Sequence, residues 1–451
     1  MKLTYDVKDK PKFGQLIVFA FQQLLAILAA TIAVPSIVQN GMSQSAALFG
    51  AGVGTIVYLL FTKFRSPVFL GSSFAFLGSM SAAFAGAYAE SAAGHAGLIL
   101  GAAFAGLVYV VIAIAVKIAG VKWINKLMPA VVIGPTVSII GLSLAGNAIG
   151  DLTNSAGVST ASPYVCIVCG LVTLFTVVIC SVYGKKTAKL IPFIIGILAG
   201  YVVAAIFTVI GIKTGNDLLK VIDFSIFSGM KIFSVPDFTI IEAVKGIKGV
   251  DGVYIASIAV AYIPVAFVVF AEHIADHKNL SSVIGKELLE DPGLHRTLLG
   301  DGVGSMVGAI FGGCPNTTYG ESVGCVAITG NASVVTILTT AIMAMVISFF
   351  GPFVTFLSSI PSCVMGGVCI TLYGFIAVSG LKMIQKVDLD ANKNLFVVAV
   401  ILICGIGNLS ISFGKVTLTS IACALILGII TNAVLHRGDK EEAELDEAKD
   451  R

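Results

Sequence analysis

Charged side chains are scarce in this chain of 451 residues: 12% are Asp, Glu, Lys or Arg, whereas 57% are hydrophobic. The mean hydropathy is +0.98. So little charge excludes a large soluble protein and indicates a polytopic membrane protein. Apolar runs of about 20 residues, which cross a hydrocarbon core of roughly 30 Å, recur from Leu16 to Leu435, and we count about fourteen. We therefore predict an all-α polytopic membrane protein with about fourteen transmembrane spans.

Basic residues are nearly absent from one set of loops, such as 39–46 and 151–163, and they collect in the alternate loops. Lys63 and Arg65, for example, follow the second apolar run. By the positive-inside rule, the basic loops and both termini are predicted to be cytoplasmic, with residues 437–451 as a cytoplasmic tail. The first run has no small-residue cleavage site, so we expect a retained span and not a signal peptide.

Short motifs recur in the same order in the two halves of the chain. They are PAVVIG (129–134) with PSCVMG (361–366), GSSFAF (71–76) with NTTYGE (316–321), and FAFQQLLAI (19–27) with VFAEHIADH (269–277). Three ordered matches favour duplication over chance. Because a half with seven spans has an odd number, the second copy must enter the membrane the other way up. This predicts a 7+7 inverted repeat. Secondary transporters with such repeats form their binding sites near the membrane midplane, from interrupted segments of the two halves.

Two apolar runs, the predicted spans 3 and 10, are interrupted by Gly, Pro, Ser and Thr at 66–74 and 312–320. These residues continue a helix poorly, and an extended segment inside a membrane must pair with protein or line a cavity. We predict two short strands that pair antiparallel, each followed by a half-helix that begins near Phe74 or Gly320. The free N–H groups of both half-helices would then face one cavity.

Two carboxylates, Glu272 and Glu321, fall at mid-span depth. A carboxylate there costs roughly 3 kcal/mol or more on insertion scales, so it marks a functional site by default. A purely structural, hydrogen-bonded carboxyl group is the alternative for each. Together with the half-helix amides, the two would supply strong acceptors and backbone donors to one cavity.

Other reactive side chains point to packing and not to catalysis. Cys166 and Cys169 lie on a predicted helix, where buried thiols behave as small hydrophobic groups. His273 and His277 are four residues apart but lack a third ligand, so we predict no metal site and a helix-end role for His277. No nucleophile–base pair is evident in the sequence, and we predict that the protein is not an enzyme.

The chain resembles the nucleobase-ascorbate transporter family, and within it the bacterial uracil permeases. The resemblance runs from about residue 10 to 436 and rests on FAEH (270–273), DPGLHR (291–296), PNTTYGE (315–321), GSSFAF (71–76) and LYG (372–374). It implies a core domain of spans 1–4 and 8–11 and a gate domain of spans 5–7 and 12–14. The corresponding residues are 1–120 and 251–358 for the core, and 121–250 and 359–436 for the gate.

The resemblance also implies proton-coupled uptake of a nucleobase across the bacterial cytoplasmic membrane by alternating access. It implies no cofactor beyond the coupling proton, no nucleic acid partner and a homodimer. Residue by residue, it implies that Glu272 and Glu321 bind the base with the backbone amides of Phe74 and Gly320. It places Ala30, Ser73 and Tyr319 at pocket positions, and Glu272, Asp276 and Tyr373 in proton coupling or its support.

Four positions depart from the pattern of the family. Gln23 stands where many relatives have His, Ser322 where they have Asn, Asp276 where the best-known uracil permeases have His, and Gly330 where Arg is common. Because of these departures, the resemblance does not define which residues transfer the proton.

Uracil presents two ring N–H donors and two carbonyl acceptors in one plane, which complements two carboxylates and two amides. A xanthine or urate permease of the same family usually has Gln at the position of Glu321, so uracil is the preferred substrate. A broader nucleobase permease stays open as an alternative. A channel would need a continuous polar lining, and two carboxylates would repel the substrate of an anion transporter of the same general fold.

Overall fold

Helices dominate the computed structural model, which describes residues 3–86, 91–120, 129–153, 161–185, 187–413 and 416–435. The predicted tail at 437–451 and most of the predicted loop at 151–163 lie outside the described residues. In chain order the helices are α1 (Phe13–Val38), α2 (Gln44–Phe61), α3 (Leu77–Ala85), α4 (Ser91–Ala119), α5 (Ala130–Ser143), α6 (Ala145–Thr153), α7 (Pro163–Tyr183), α8 (Thr187–Leu190), α9 (Pro192–Thr214), α10 (Thr239–Gly246), α11 (Gly252–Ile284), α12 (Leu294–Gly312), α13 (Gly320–Thr329), α14 (Val334–Ile347), α15 (Gly351–Ser359), α16 (Ser362–Ile384), α17 (Asn392–Ile406) and α18 (Ser420–Leu435).

Within the described residues, eight helical segments are long and apolar enough to cross a membrane, by length and composition alone. They are α1, α2, α4, α5 with α6, α7, α9, α11 and α16. Shorter apolar helices of 10–17 residues are α3 with the turn before it, α14, α17 and α18. The protein is therefore a mostly helical membrane protein.

Two short strands lie in the two interrupted runs and pair with each other. Strand β1 (Leu70–Ser72) is antiparallel to β2 (Asn316–Thr318), with Gly71 opposite Thr317. The ladder continues on both sides, since Ser73 N donates to Pro315 O and Tyr319 N donates to Phe69 O. Both strands are wholly buried. Each strand therefore satisfies the backbone groups that the other would leave without partners in an apolar interior.

Glycines let the backbone around these strands pack closely. The side chain of Asn316 donates from Nδ2 to Gly50 O at 3.0 Å. A Cβ atom on Gly54 or Gly308 would stand 2.6 or 2.0 Å from that nitrogen. Helices α2 and α12 therefore cross at a contact between glycines, and Asn316 fixes β2 to this crossing.

The helices pack in two groups. The first contains α1 to α4 with α11 to α14, and the second contains α5, α6, α7, α9, α16, α17 and α18. Links between the groups are fewer. They join α1 to α9 and α16, and they join α11 to α5, to α18 and to residues 416–418 just before α18. Each motif of the pair PAVVIG and PSCVMG opens a helix of the second group: Pro129 is the residue before α5, and Pro361 is the residue before α16.

A second small hairpin pairs β3 (Ile411–Phe413) with β4 (Val416–Leu418) between α17 and α18. Between α9 and α11 the chain forms short helical turns at Asp217–Leu219 and Phe224–Phe227, followed by α10. Cys166 and Cys169 are fully buried in α7.

Candidate functional site

A cavity of about 390 Å³ lies where β1 and β2 end and the helical segments after them begin. Both helix groups contribute to its walls. The lining residues are Ser73, Phe74, Ala75, Val137, Ile140, Phe193, Glu272, Ala275, Asp276, Thr317, Thr318, Tyr319, Gly320, Glu321, Leu372, Phe375, Ile376, Ser379 and Met383. Its volume falls in the range of small-molecule sites, roughly 300–1,000 Å³.

The structure brings most of the predicted site residues together in this cavity. Its lining includes both predicted carboxylates, both predicted amide positions and Asp276, and the predicted pocket residues Ser73 and Tyr319. Ala30 is not among the lining residues; it is buried within α1. Tyr373 is not among them either, but its ring packs edge-on against Phe74, with centroids 5.9 Å apart.

In both interrupted segments, a helical stretch begins at the cavity. Helix α13 begins at Gly320, with Tyr319 as the residue before it. A single helical turn begins at Phe74 and leads into α3. Because the first N–H groups of a helix have no partner within it, the amides of Phe74 and Gly320 can donate hydrogen bonds to a ligand, and the helix dipole adds partial positive charge.

Three carboxyl groups line the same space. Glu272 and Asp276 are four residues apart on α11 and so share one face of it, whereas Glu321 comes from the first turn of α13. Asp276 Oδ2 accepts a hydrogen bond of 3.1 Å from Thr318 Oγ1. None of the described residues that line the cavity is basic. The cavity thus offers carboxylate acceptors together with backbone donors.

A polar cluster behind Glu321 holds two of the positions that depart from the family pattern. Gln23 Nε2 donates to Ser322 Oγ at 2.6 Å, and the backbone N–H of Phe69 donates to the same oxygen at 3.2 Å. Ser322 therefore connects α1, α13 and the segment that enters β1. The two departures lie in contact, which the sequence did not predict.

Behind Glu272, His273 is fully buried and pairs with Asp301 of α12, with 2.7 Å between Nδ1 and Oδ2. His273 Nε2 lies 3.0 Å from Thr297 Oγ1, which donates its own hydrogen to Leu294 O. Asp301 was not predicted, although it is an acidic residue within an otherwise apolar stretch.

The predicted helix-end role of His277 is wrong, because α11 continues to Ile284 and His277 is wholly buried. Its Nδ1 donates to His273 O at 2.8 Å, and its Nε2 lies 2.7 Å from the hydroxyl oxygen of Tyr58. The described residues hold no group of three or more His, Cys, Asp or Glu side chains suited to a metal ion.

Comparison with known proteins agrees with the class of protein that this fold and cavity define, a membrane transporter. Residues 14–412 match the model of a permease family. The uracil permease of Bacillus caldolyticus is 38% identical, over 96% of this chain and 95% of its own length. The uracil permease of Bacillus subtilis is 37% identical, over 99% of this chain and 98% of its own length. The chain belongs to this permease family, and within it to the group of the bacterial uracil permeases that its motifs resemble.

The fold alone is shared with more distant transporters. The transmembrane domain of a cyanobacterial bicarbonate transporter superimposes with a TM-score of 0.61 at 16% identity, over 94% of this chain and 98% of that domain. Membership of a permease family indicates a transporter and not an enzyme.

Proposed function

We propose that the protein is a secondary active transporter that takes up uracil together with protons by alternating access. The observation that carries the proposal is the meeting of Glu272, Glu321 and two helix starts around one cavity. The relatives at 38% and 37% identity are uracil permeases over nearly their whole length, which supports the same substrate.

Each polar group of uracil has a matching partner in the cavity. The two ring N–H groups of uracil donate to the carboxylates of Glu272 and Glu321, and its carbonyl oxygens accept from the amides of Phe74 and Gly320. The ring of Phe74 supplies an apolar face for the planar base. Ser73 and Tyr319 shape the pocket, and Ala30 supports it from α1.

Transport requires that the cavity open to each side in turn. We assign the first helix group to a core domain (1–120 and 251–358) and the second to a gate domain (121–250 and 359–436). The sparse links between the groups, and a cavity whose walls come from both, support a movement of one against the other. The assignment takes the helices as about fourteen spans in a 7+7 inverted repeat.

Protons couple to this movement through the buried carboxyl groups. A charged carboxylate is costly at membrane depth, so protonation of Glu272 or Asp276 lowers the cost of moving the loaded core. Tyr373 acts on the cavity through its contact with Phe74. The protein then needs no cofactor beyond the proton and resides in the bacterial cytoplasmic membrane, with both termini cytoplasmic. We propose a homodimer and no nucleic acid partner.

Uptake of labelled uracil into bacterial cells that lack their own uracil permease tests the proposal, with unlabelled xanthine and thymine as competitors. We expect saturable uptake that unlabelled uracil suppresses and xanthine does not. The Glu272→Gln variant, with its abundance in the membrane verified, is the negative control. Uptake that xanthine suppresses as well as uracil does would favour the alternative, a xanthine, urate or broader nucleobase permease of the same family.

A further inference from the structure

The segment ahead of α1 lies against the connection between α13 and α14. We call residues 4–9 the N-terminal clamp. Tyr5 forms a parallel bridge with Asn331. Four backbone hydrogen bonds join the two segments: Thr4 N to Gly330 O at 2.8 Å, Tyr5 N to Gly330 O at 3.2 Å, Ala332 N to Tyr5 O at 2.9 Å, and Val334 N to Val7 O at 3.1 Å. Val7 is buried, with 4% of its surface exposed.

The end of α13 needs such a partner because the helix is short. Its 10 residues span about 15 Å at 1.5 Å per residue, roughly half of a hydrocarbon core. The last carbonyl groups of a helix have no partner within it, and they are costly to leave bare in an apolar setting. The clamp supplies donors there: Gly330 O accepts from Thr4 N and Tyr5 N, and Thr329 O accepts from Thr4 Oγ1 at 3.3 Å.

The clamp is also attached to the end of α11. Lys286, two residues beyond that helix, donates to both carboxylate oxygens of Asp6 at 2.6 and 2.7 Å. Ser333 Oγ donates to Asp9 O at 2.6 Å, and the ring of Tyr5 packs edge-on against Phe19 of α1. One short segment therefore connects the ends of α11 and α13, the two helices whose other parts carry Glu272 and Glu321.

We propose that the N-terminal clamp positions Glu321 relative to Glu272 and so preorganises the binding cavity. The identity of the ligand rests on the proposed function, whereas the geometry of the clamp does not. A helix is a rigid rod, so a shift at the end of α13 moves Gly320 and Glu321 at its start. A planar ligand held from both carboxylates binds best when their separation is fixed beforehand, because binding then costs less ordering.

The test compares two variants of the full chain that differ in the clamp bonds. Thr4→Pro with Val7→Ser removes the Thr4 N–H donor and weakens the buried contact. Lys8→Gln with Lys10→Gln leaves the clamp hydrogen bonds described above in place and changes two exposed residues, so it is the matched control. Purified proteins are compared by hydrogen exchange of residues 320–334 without ligand, and by calorimetric titration with uracil.

We expect faster exchange at Ala332, at Val334 and in the first turn of α13 in the first variant, with uracil affinity about tenfold or more lower, as for the loss of one or two hydrogen bonds. Exchange in residues 70–76 of this variant should match the wild type. The control variant should match the wild type in both exchange and uracil affinity. Faster exchange with unchanged uracil affinity would overturn the positioning role, as would unchanged exchange in α13. If the wild type bound no uracil, the proposed substrate would be wrong. Exchange in the first turn of α13 would still show whether the clamp positions that helix.

Discussion

The hydroxyl group of Tyr319 donates a hydrogen bond of 2.8 Å to the carbonyl oxygen of Ser72. The bond lays the tyrosine ring across strand β1, so that a Cβ atom on Gly71 would stand 2.3 Å from the ring carbon Cζ. Only glycine fits beneath the ring without a shift of Tyr319 or the strand. The strand pair and the residue that precedes Gly320 are therefore locked together.

Gly71→Ala should displace Tyr319 and disturb both the strand pair and the start of α13. Overpacking of this kind costs typically 1–3 kcal/mol, and we expect uracil affinity to fall about tenfold or more. Gly78→Ala is the matched control, since a Cβ atom there would meet nothing within 4 Å. Titration of both variants with uracil checks the prediction, and equal affinities would show that the Tyr319 contact does not shape the cavity.

Glu321→Gln should change the choice of substrate. A carboxylate only accepts hydrogen bonds, whereas a Gln side chain also donates and suits the further ring nitrogens of xanthine. Loss of one charge-assisted bond in a buried site costs roughly 1.5–3 kcal/mol, about ten- to a hundredfold in uracil affinity. Xanthine binding should change little or not at all.

The readout is the ratio of inhibition constants for xanthine and uracil, measured by competition with labelled uracil in wild type and variant. An unchanged ratio would assign Glu321 to coupling or structure. The choice between bases would then lie in the cavity walls, near Phe74 and Tyr319.

The polar part of the cavity was predictable because polar residues and helix breakers are conspicuous in apolar runs. Glu272, Glu321, Phe74 and Gly320 were located in this way, and all four line one cavity. The apolar wall that includes Phe193 was not predictable, since an apolar side chain in a span looks the same whether it faces lipid, protein or a cavity.

Contacts that join distant parts of the chain were also not predictable. Nothing in the sequence around Thr4 and Tyr5 indicates that they cap a helix more than 300 residues away. Gln23 and Ser322 stood out separately as departures from the family pattern, and only the structure shows their hydrogen bond. His277 was misplaced because the length of α11 beyond it could not be read from composition.

Proton coupling predicts that uracil uptake rises as the external pH falls and collapses with a protonophore. Asp276→Asn keeps an oxygen that can accept the hydrogen bond from Thr318 but cannot ionise, so we expect it to flatten the pH dependence. Initial uptake rates across pH, with and without the protonophore and at constant sodium, measure this. Uptake that follows sodium at constant pH and ignores the proton gradient would contradict the coupling.

The ion pair of the N-terminal clamp predicts a small, pH-dependent contribution to stability. The hydrogen bond from Lys286 lowers the pKa of Asp6 below its ordinary value of 3.8. A carboxyl group whose pKa is lower in the folded state stabilises the fold above the ordinary value, and this contribution is lost as the pH falls through the lowered pKa. Both side chains are nearly half exposed, so the effect should be small.

Asp6→Asn should therefore lower the unfolding midpoint slightly and by a constant amount near neutral pH, and the difference from wild type should vanish in strong acid. Thermal unfolding of the two purified proteins over this pH range checks the prediction. A difference that grows as the pH falls would contradict it.

The most direct test of the account is calorimetric titration of uracil into purified wild type, Glu272→Gln and Glu321→Gln, with Glu290→Gln at an exposed carboxyl group as the control. We predict binding to the wild type and to the control, no measurable binding to Glu272→Gln, and binding about ten- to a hundredfold weaker to Glu321→Gln, although both cavity variants remain folded and inserted in the membrane. Wild-type affinity in both cavity variants would contradict the assignment of Glu272 and Glu321 as the groups that hold the base.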